Sequence, residues 1–148
     1  MSVHWVILDL ETTSLDPRDV GAQLLEIALV AVDRRLNEVA HWHSPIKVHR
    51  GDFPNSLDSR VHEMHSNSGL LAELTGARAL REFASGGLPT LAEAGAVALQ
   101  FVAAYGAPPV TYPSGQVSAQ AIMVGANIGS FDRQWLKVHM PKLDEAFH

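Results

Sequence analysis

Val3-His4-Trp5-Val6-Ile7-Leu8-Asp9-Leu10-Glu11-Thr12-Thr13-Ser14-Leu15-Asp16-Pro17 is an apolar run that ends in two acids and then in turn formers. Residues 3–10 read as a β-strand, apolar on both faces and so suited to the interior of a sheet. In a strand, residues i and i+2 point to the same face, so the Asp9 and Glu11 carboxylates project side by side from the strand end. Two like charges held together in a poorly hydrated place resist ionisation. A divalent cation resolves that conflict, and hard oxygen ligands suit Mg²⁺ or Mn²⁺. The spacing alone is equally compatible with an exposed strand end carrying two solvated acids.

Two further apolar runs follow. Residues 23–32 read as a second strand. Residues 38–48 read as a third, broken or bulged at Pro45, which has no N–H to give to a ladder. The link at residues 33–37 has hairpin length, so the three strands form an antiparallel meander. Residues 56–64 and 68–74 read as short helices. Residues 90–105 carry the clearest helical signal. Thr90 is placed to cap it with Glu93 three residues on, and Leu91, Ala94, Ala98, Phe101 and Val102 make an apolar face. Gly106 and Pro108-Pro109 end it. Residues 121–125 predict a short buried strand, and residues 130–139 a last helix that stops before Pro141.

Three stretches carry a family resemblance. Leu8-Asp9-Leu10-Glu11-Thr12-Thr13-Ser14-Leu15-Asp16-Pro17 resembles the first motif of the DEDD 3′→5′ exonucleases, and most closely that of oligoribonucleases in the DEDDh branch. His65-Ser66-Asn67-Ser68-Gly69-Leu70 is similar to the His-x-x-Ser-Gly-Leu segment of the same family. Gly125-Ala126-Asn127-Ile128-Gly129-Ser130-Phe131-Asp132-Arg133-Gln134-Trp135-Leu136 resembles the second motif, and the likeness runs on through Met140-Pro141 to His148. The matches occur in family order along the whole chain. The implied architecture is α/β, a ribonuclease H-like exonuclease fold in one domain spanning residues 1–148. It has a mixed sheet, the three-stranded antiparallel meander plus one parallel strand, with flanking helices, and is truncated at its C-terminus.

The resemblance also implies the chemistry. Phosphodiester hydrolysis would use two cations about 3.5–4 Å apart, with Asp9, Glu11 and Asp132 as ligands and catalytic acids. Asp132 otherwise reads as a simple acid at a helix start, which the helix dipole favours. Thr13 would sit beside the terminal nucleotide, Leu15 would wedge between the last two bases, and His65 would lie near a 5′ phosphate. Asn127 and Ser130 would touch the substrate backbone. The substrates implied are short single-stranded RNA or dinucleotides, and the assembly implied is a homodimer.

Several positions depart from the family pattern. Ser14 stands where a Gly is usual, Arg60 replaces an aromatic five positions before His65, and Asn127 is one residue further from Asp132 than is common. A third motif, His-x-x-x-x-Asp, supplies the general base and fourth acid in the family. His139 and Asp144 have that spacing, but Pro141 lies between them and they follow the second motif too closely. The alternatives are a metal- and oligonucleotide-binding module that does not cleave, and a DNA-directed exonuclease of the proofreading type.

Composition bounds these readings. The 148 residues are 47% hydrophobic and 18% charged, ordinary for a globular domain. With no cysteine, disulfides and Cys-zinc sites are excluded. His62-Glu63-Met64-His65 places its histidines three apart, not the four a zinc hydrolase needs. No basic N-terminal region precedes an apolar one, and no run approaches membrane-spanning length, so the expectation is a cytoplasmic protein without membrane association. A net charge of −5 disfavours a grip on long nucleic acid but not on short strands. The bases gather in two places, Lys47-Val48-His49-Arg50 and Arg133, Lys137, His139 and Lys142.

Overall fold

The computed structural model describes residues 5–49 and 51–147. Val3, His4, Arg50 and His148, used in the readings above, lie outside the described residues. Strand β1 spans Trp5–Thr12, β2 Leu24–Val32, β3 Glu38–Pro45 and β4 Ile122–Val124. The sheet order is β3-β2-β1-β4. β1 and β3 each pair antiparallel with β2, and β4 runs parallel to β1 over Trp5–Ile7. The expected mixed sheet is therefore present. β1 is longer than its apolar run suggests: pairing with β2 continues to Thr12, so Asp9 and Glu11 lie within the strand and not at its end.

Burial alternates along β1. Val6, Leu8, Leu10 and Thr12 are buried, while Trp5, Ile7, Asp9 and Glu11 face the other way and are partly or largely exposed. The strand is thus core-facing on one side only. That side packs on α3 (Leu91–Tyr105), α4 (Asp132–His139) and α5 (Pro141–Glu145). Leu8, Leu10, Ile27 and Leu29 meet Ala98, Val102, Trp135, Leu136 and Leu143 there. Each such buried aliphatic side chain contributes roughly 1.5–3 kcal/mol.

A register shift between Glu11 and Thr12 leaves Leu25 without a partner on β1. Such a bulge resets the alternation. Leu24 joins the main core, whereas Leu25 turns to a second cluster with Leu70, Leu74 and Leu88. That cluster seats α2 (Leu70–Thr75), and with it α1 (Ser59–Asn67), near the acid-bearing end of β1.

α3 forms as its sequence predicts. The Thr90 hydroxyl accepts from the Glu93 N–H at 3.2 Å, and the Glu93 carboxylate accepts from the Thr90 N–H at 2.8 Å. Elsewhere the boundaries move for local reasons. α1 begins at Ser59 because Asp58 is its cap, accepting from the Arg60 N–H at 2.9 Å. α1 also runs on to Asn67, beyond the helix expected over residues 56–64, so His65 lies in its last turn. α4 begins at Asp132 because Asn127, at φ +56°, turns the chain and its carbonyl accepts from the Ser130 and Phe131 N–H groups. Pro141 ends α4 and also starts α5, since a proline fits the first turn of a helix. The sequence pattern gives no signal for α5 or for the 3-10 turns at Ala77–Leu80 and Phe83–Ser85. Among the described residues, no helix is long and apolar enough to cross a membrane.

Candidate active site

Three acids come together at one end of the sheet. Asp9 and Glu11 share a face of β1, as period two requires. Asp132 arrives from far along the chain, and the route depends on Gly125. A Cβ at Gly125 would lie 2.7 Å from the Leu8 carbonyl oxygen and 2.9 Å from Ile128 Cδ1. Only a residue without a side chain lets the backbone leave β4 this close to β1. The turn around Asn127 then starts α4 beside β1. β4 stops pairing at Ile7, so Leu10 lies beyond it, and the Leu10 N–H reaches the Asp132 carboxylate. Asp132 is only 3% exposed.

Burial pushes the Glu11 carboxyl above its ordinary value. His65 pulls it back down, while Asp9, Glu26 and Asp132 push it further up. Burial also raises Asp132; its own N–H and that of Leu10 oppose this, and the Asp9 charge adds to it. The three acids are therefore electrostatically coupled, as the sequence spacing of Asp9 and Glu11 led us to expect. Among the described residues, however, no three His, Asp or Glu side chains are already arranged to hold one metal ion.

His65 is turned inward. It is 1% exposed, and its Nε2 lies 3.0 Å from the Thr12 carbonyl oxygen. A carbonyl only accepts, so Nε2 carries the proton. Nδ1 then faces Glu11 Oε2 at 3.8 Å. His65, which the resemblance places near a 5′ phosphate, is thus buried, with its imidazole between the Thr12 carbonyl and Glu11.

The remaining candidates lie nearby. The Thr13 hydroxyl oxygen accepts from the Gln23 N–H at 2.9 Å, which leaves its own hydrogen for another acceptor. Leu15 is 86% exposed at the tip of the following turn, so it does not serve as ordinary turn packing. That turn is held by Thr12, which donates to the Ser14 carbonyl, and by Ser14, which donates to the Asp16 carbonyl. Asn127 and Ser130 are exposed, and the Ser130 hydroxyl donates to the Asn127 carbonyl at 3.2 Å. His139 and Asp144 do not work together. His139 Nε2 lies 3.1 Å from the Pro17 carbonyl oxygen, and Asp144 pairs with Arg133 at 2.9 Å.

Sequence reasoning missed two neighbours. Glu26 sits directly across from Glu11 on β2, and its carboxylate lies 2.8 Å from His43 Nε2. The available signal was a lone acid in the apolar run Leu24-Leu25-Glu26-Ile27. A cross-strand like-charge pair is unfavourable, and here each glutamate faces an imidazole.

The family model for RNase T, described as exonuclease, matches residues 6–85, from β1 through the segment that holds His65. The chain belongs to the RNase T exonuclease family. Oligoribonuclease from Aliivibrio fischeri is 34% identical over 145 residues, covering 97% of this chain and 66% of the relative. Oligoribonuclease from Leifsonia xyli is 31% identical over 143 residues, covering 97% of this chain and 58% of the relative. The chain thus spans about three fifths to two thirds of the length of these curated relatives. Among solved structures, E. coli exonuclease I in complex with a dA16 oligonucleotide superposes with a TM-score of 0.55 at 12% identity, over 88% of this chain and 22% of that one. A product-bound exonuclease I gives 0.53 at 12% identity, over 91% and 24%. At that identity the likeness shows a shared fold.

Proposed function

We propose that this chain carries the site of a metal-dependent 3′→5′ exonuclease for short single-stranded RNA. The observation that supports it best is the coupling of Asp9 and Glu11, in the last half of β1, with Asp132, near the turn that presents Thr13 and Leu15. The donor set suits a hard divalent cation, Mg²⁺ or Mn²⁺. It has three carboxylates, of which Glu11 and Asp132 are held above their ordinary values by burial first and then by the Asp9 charge. Such cations, when bound, supply the Lewis acidity for phosphodiester hydrolysis.

The chain's own residues would place the strand. The Thr13 hydroxyl hydrogen is available to the terminal nucleotide, and Leu15 offers an apolar surface to its base. In the hydrolysis, the water oxygen joins phosphorus, the bond to O3′ breaks, and a proton passes to O3′. RNA as substrate rests on the likeness to oligoribonucleases; the exonuclease I structures, one of them in complex with a dA16 oligonucleotide, bear on the fold alone. The test is hydrolysis of a 5′-labelled RNA dinucleotide with Mn²⁺, beside an Asp9→Ala control. Cleavage lost in the control supports the reading. Oligonucleotide binding without cleavage would favour the non-catalytic module.

A further inference from the structure

We infer that a basic trough on the helix-covered side of the sheet end holds an additional stretch of the single strand, which makes strands longer than a dinucleotide bind more tightly. The inference rests on the exonuclease reading above.

The two basic segments of the sequence meet in space. A groove of about 440 Å³ runs between α3 and the α4–α5 junction, with Ala92, Gly95, Ala96 and Leu99 in its floor and His139 and Lys142 in its wall. A second groove of about 260 Å³ adjoins it, sharing Leu91 and His139, and brings in Lys47 and His49. Among the described residues no acid lines either groove, although acids outnumber bases 16 to 11 in the chain. The second groove shares Ala22 with a third, of about 210 Å³, whose lining includes Thr13. Asp19 and Asp58 line the third groove, Asp58 being engaged at the α1 cap, whereas Lys47 lines the second and Lys142 the first.

The chemistry of the trough matches an anionic strand with flat bases. Single-strand sites combine cations that follow the phosphates with an apolar surface for the bases. His139 is fixed by the Pro17 carbonyl and by stacking on Trp135 at 5.0 Å, and the Lys47 ammonium by the Arg81 carbonyl at 2.7 Å. His49 and Lys142 are exposed, His49 on the second groove and Lys142 on the first. At Gly95 an added Cβ would touch only the Met140 side chain, at 3.9–4.0 Å, so the floor there is shallow and unobstructed.

The test compares 5′-fluorescent RNAs of two and eight nucleotides by anisotropy in EDTA, using the wild type, His49→Glu/Lys142→Glu and, as a milder version, His49→Ala/Lys142→Ala. The wild type is expected to bind the longer RNA at least about tenfold more tightly, with the gap reduced to about threefold or less in the charge-reversed variant. The slope of log affinity against log salt should fall by about one. An unchanged gap in the variant, or no gap in the wild type, overturns the inference. A change in sedimentation from dimer to monomer with RNA affinity intact would assign the trough to a second copy of the chain and also overturn it. Dinucleotide hydrolysis with Mn²⁺ runs in parallel. If it persists while the length effect is absent, the trough alone fails; if the wild type shows neither hydrolysis nor binding, the exonuclease reading fails with it.

Discussion

At the β2–β3 turn, Asp33 accepts from the Arg35 and Asn37 N–H groups and from the Asn37 side chain, at 2.8–3.0 Å. At the start of α4, Asp132 also accepts from backbone N–H groups. The two aspartates nevertheless move in opposite directions. The Asn37 side chain and N–H hold Asp33 below its ordinary value, with almost no burial to oppose them. Burial lifts Asp132 above its ordinary value despite its hydrogen bonds, and Asp9 adds to the lift. One carboxylate belongs to a turn that folding wants charged. The other belongs to a cluster that folding would prefer neutral, and a cluster of that kind is what a cation can stabilise.

Replacing the disfavoured charge breaks the comparison most strongly. If the proposed hydrolysis holds, Asp132→Asn is expected to lower kcat by about three powers of ten, equivalent to the several kcal/mol that metal assistance contributes. The same substitution is expected to raise stability by about 0.5–2 kcal/mol at neutral pH, because an amide oxygen can still accept from Leu10 without bearing charge. The pH dependence has a definite sign. A raised carboxylate binds more protons folded than unfolded, so its penalty is full at neutral pH and is relieved as pH falls from the raised value to the ordinary 3.8. Thermal melts of both proteins from pH 7 down to pH 3.5 check this; a constant difference across that range would count against it.

His65→Asn tests the support behind Glu11. Losing a buried hydrogen bond and the imidazole packing is expected to cost about 1–3 kcal/mol. If His65 acts by holding the strand end, kcat should fall with little change in KM. A rise in KM alone would restore the phosphate-contact reading that its burial argues against.

Exposed leucines allow a second comparison, between Leu15 on the turn after β1 and Leu36 on the β2–β3 turn. Either leucine replaced by Ala should leave stability within about 0.5 kcal/mol, as is usual at exposed positions. Only Leu15→Ala should raise KM for an oligonucleotide, and equal effects would remove the distinction between a substrate-facing turn and a structural one. The smallest effect is at Asp33. Its lowered value gives stability that is present above the ordinary 3.8 and lost as pH falls through the lower folded value. Asp33→Asn should therefore melt slightly lower than wild type at neutral pH, with the difference closing in acid.

The legible parts of this molecule are the local ones. The capping box and buried face of α3 follow from residues a few positions apart, and so does the shared direction of Asp9 and Glu11. Boundaries failed where a contact from outside the segment decided them. β1 gained two residues because β2 continues to pair with it, and α4 lost two because Asn127 turns the chain first. The bulge opposite Glu11 could not be read from Leu24-Leu25-Glu26, since both leucines are apolar and only their different clusters separate them. His65 shows the same limit at the site: its motif identified the segment, but not which way the ring faces.

Covalent geometry and local chain physics let the sequence alone determine that two acids leave one strand together and that a helix follows a cap at Thr90, while the resemblance of its ordered motifs pointed to one exonuclease family. Tertiary structure decided which distant groups those acids meet. Close approach at Gly125 brings Asp132 to Leu10, the α1–α2 packing buries His65 against Thr12, and folding joins two separate basic segments along one trough. Burial and Coulomb coupling depend on what lies within a few ångströms in space, and separation along the chain does not encode that distance.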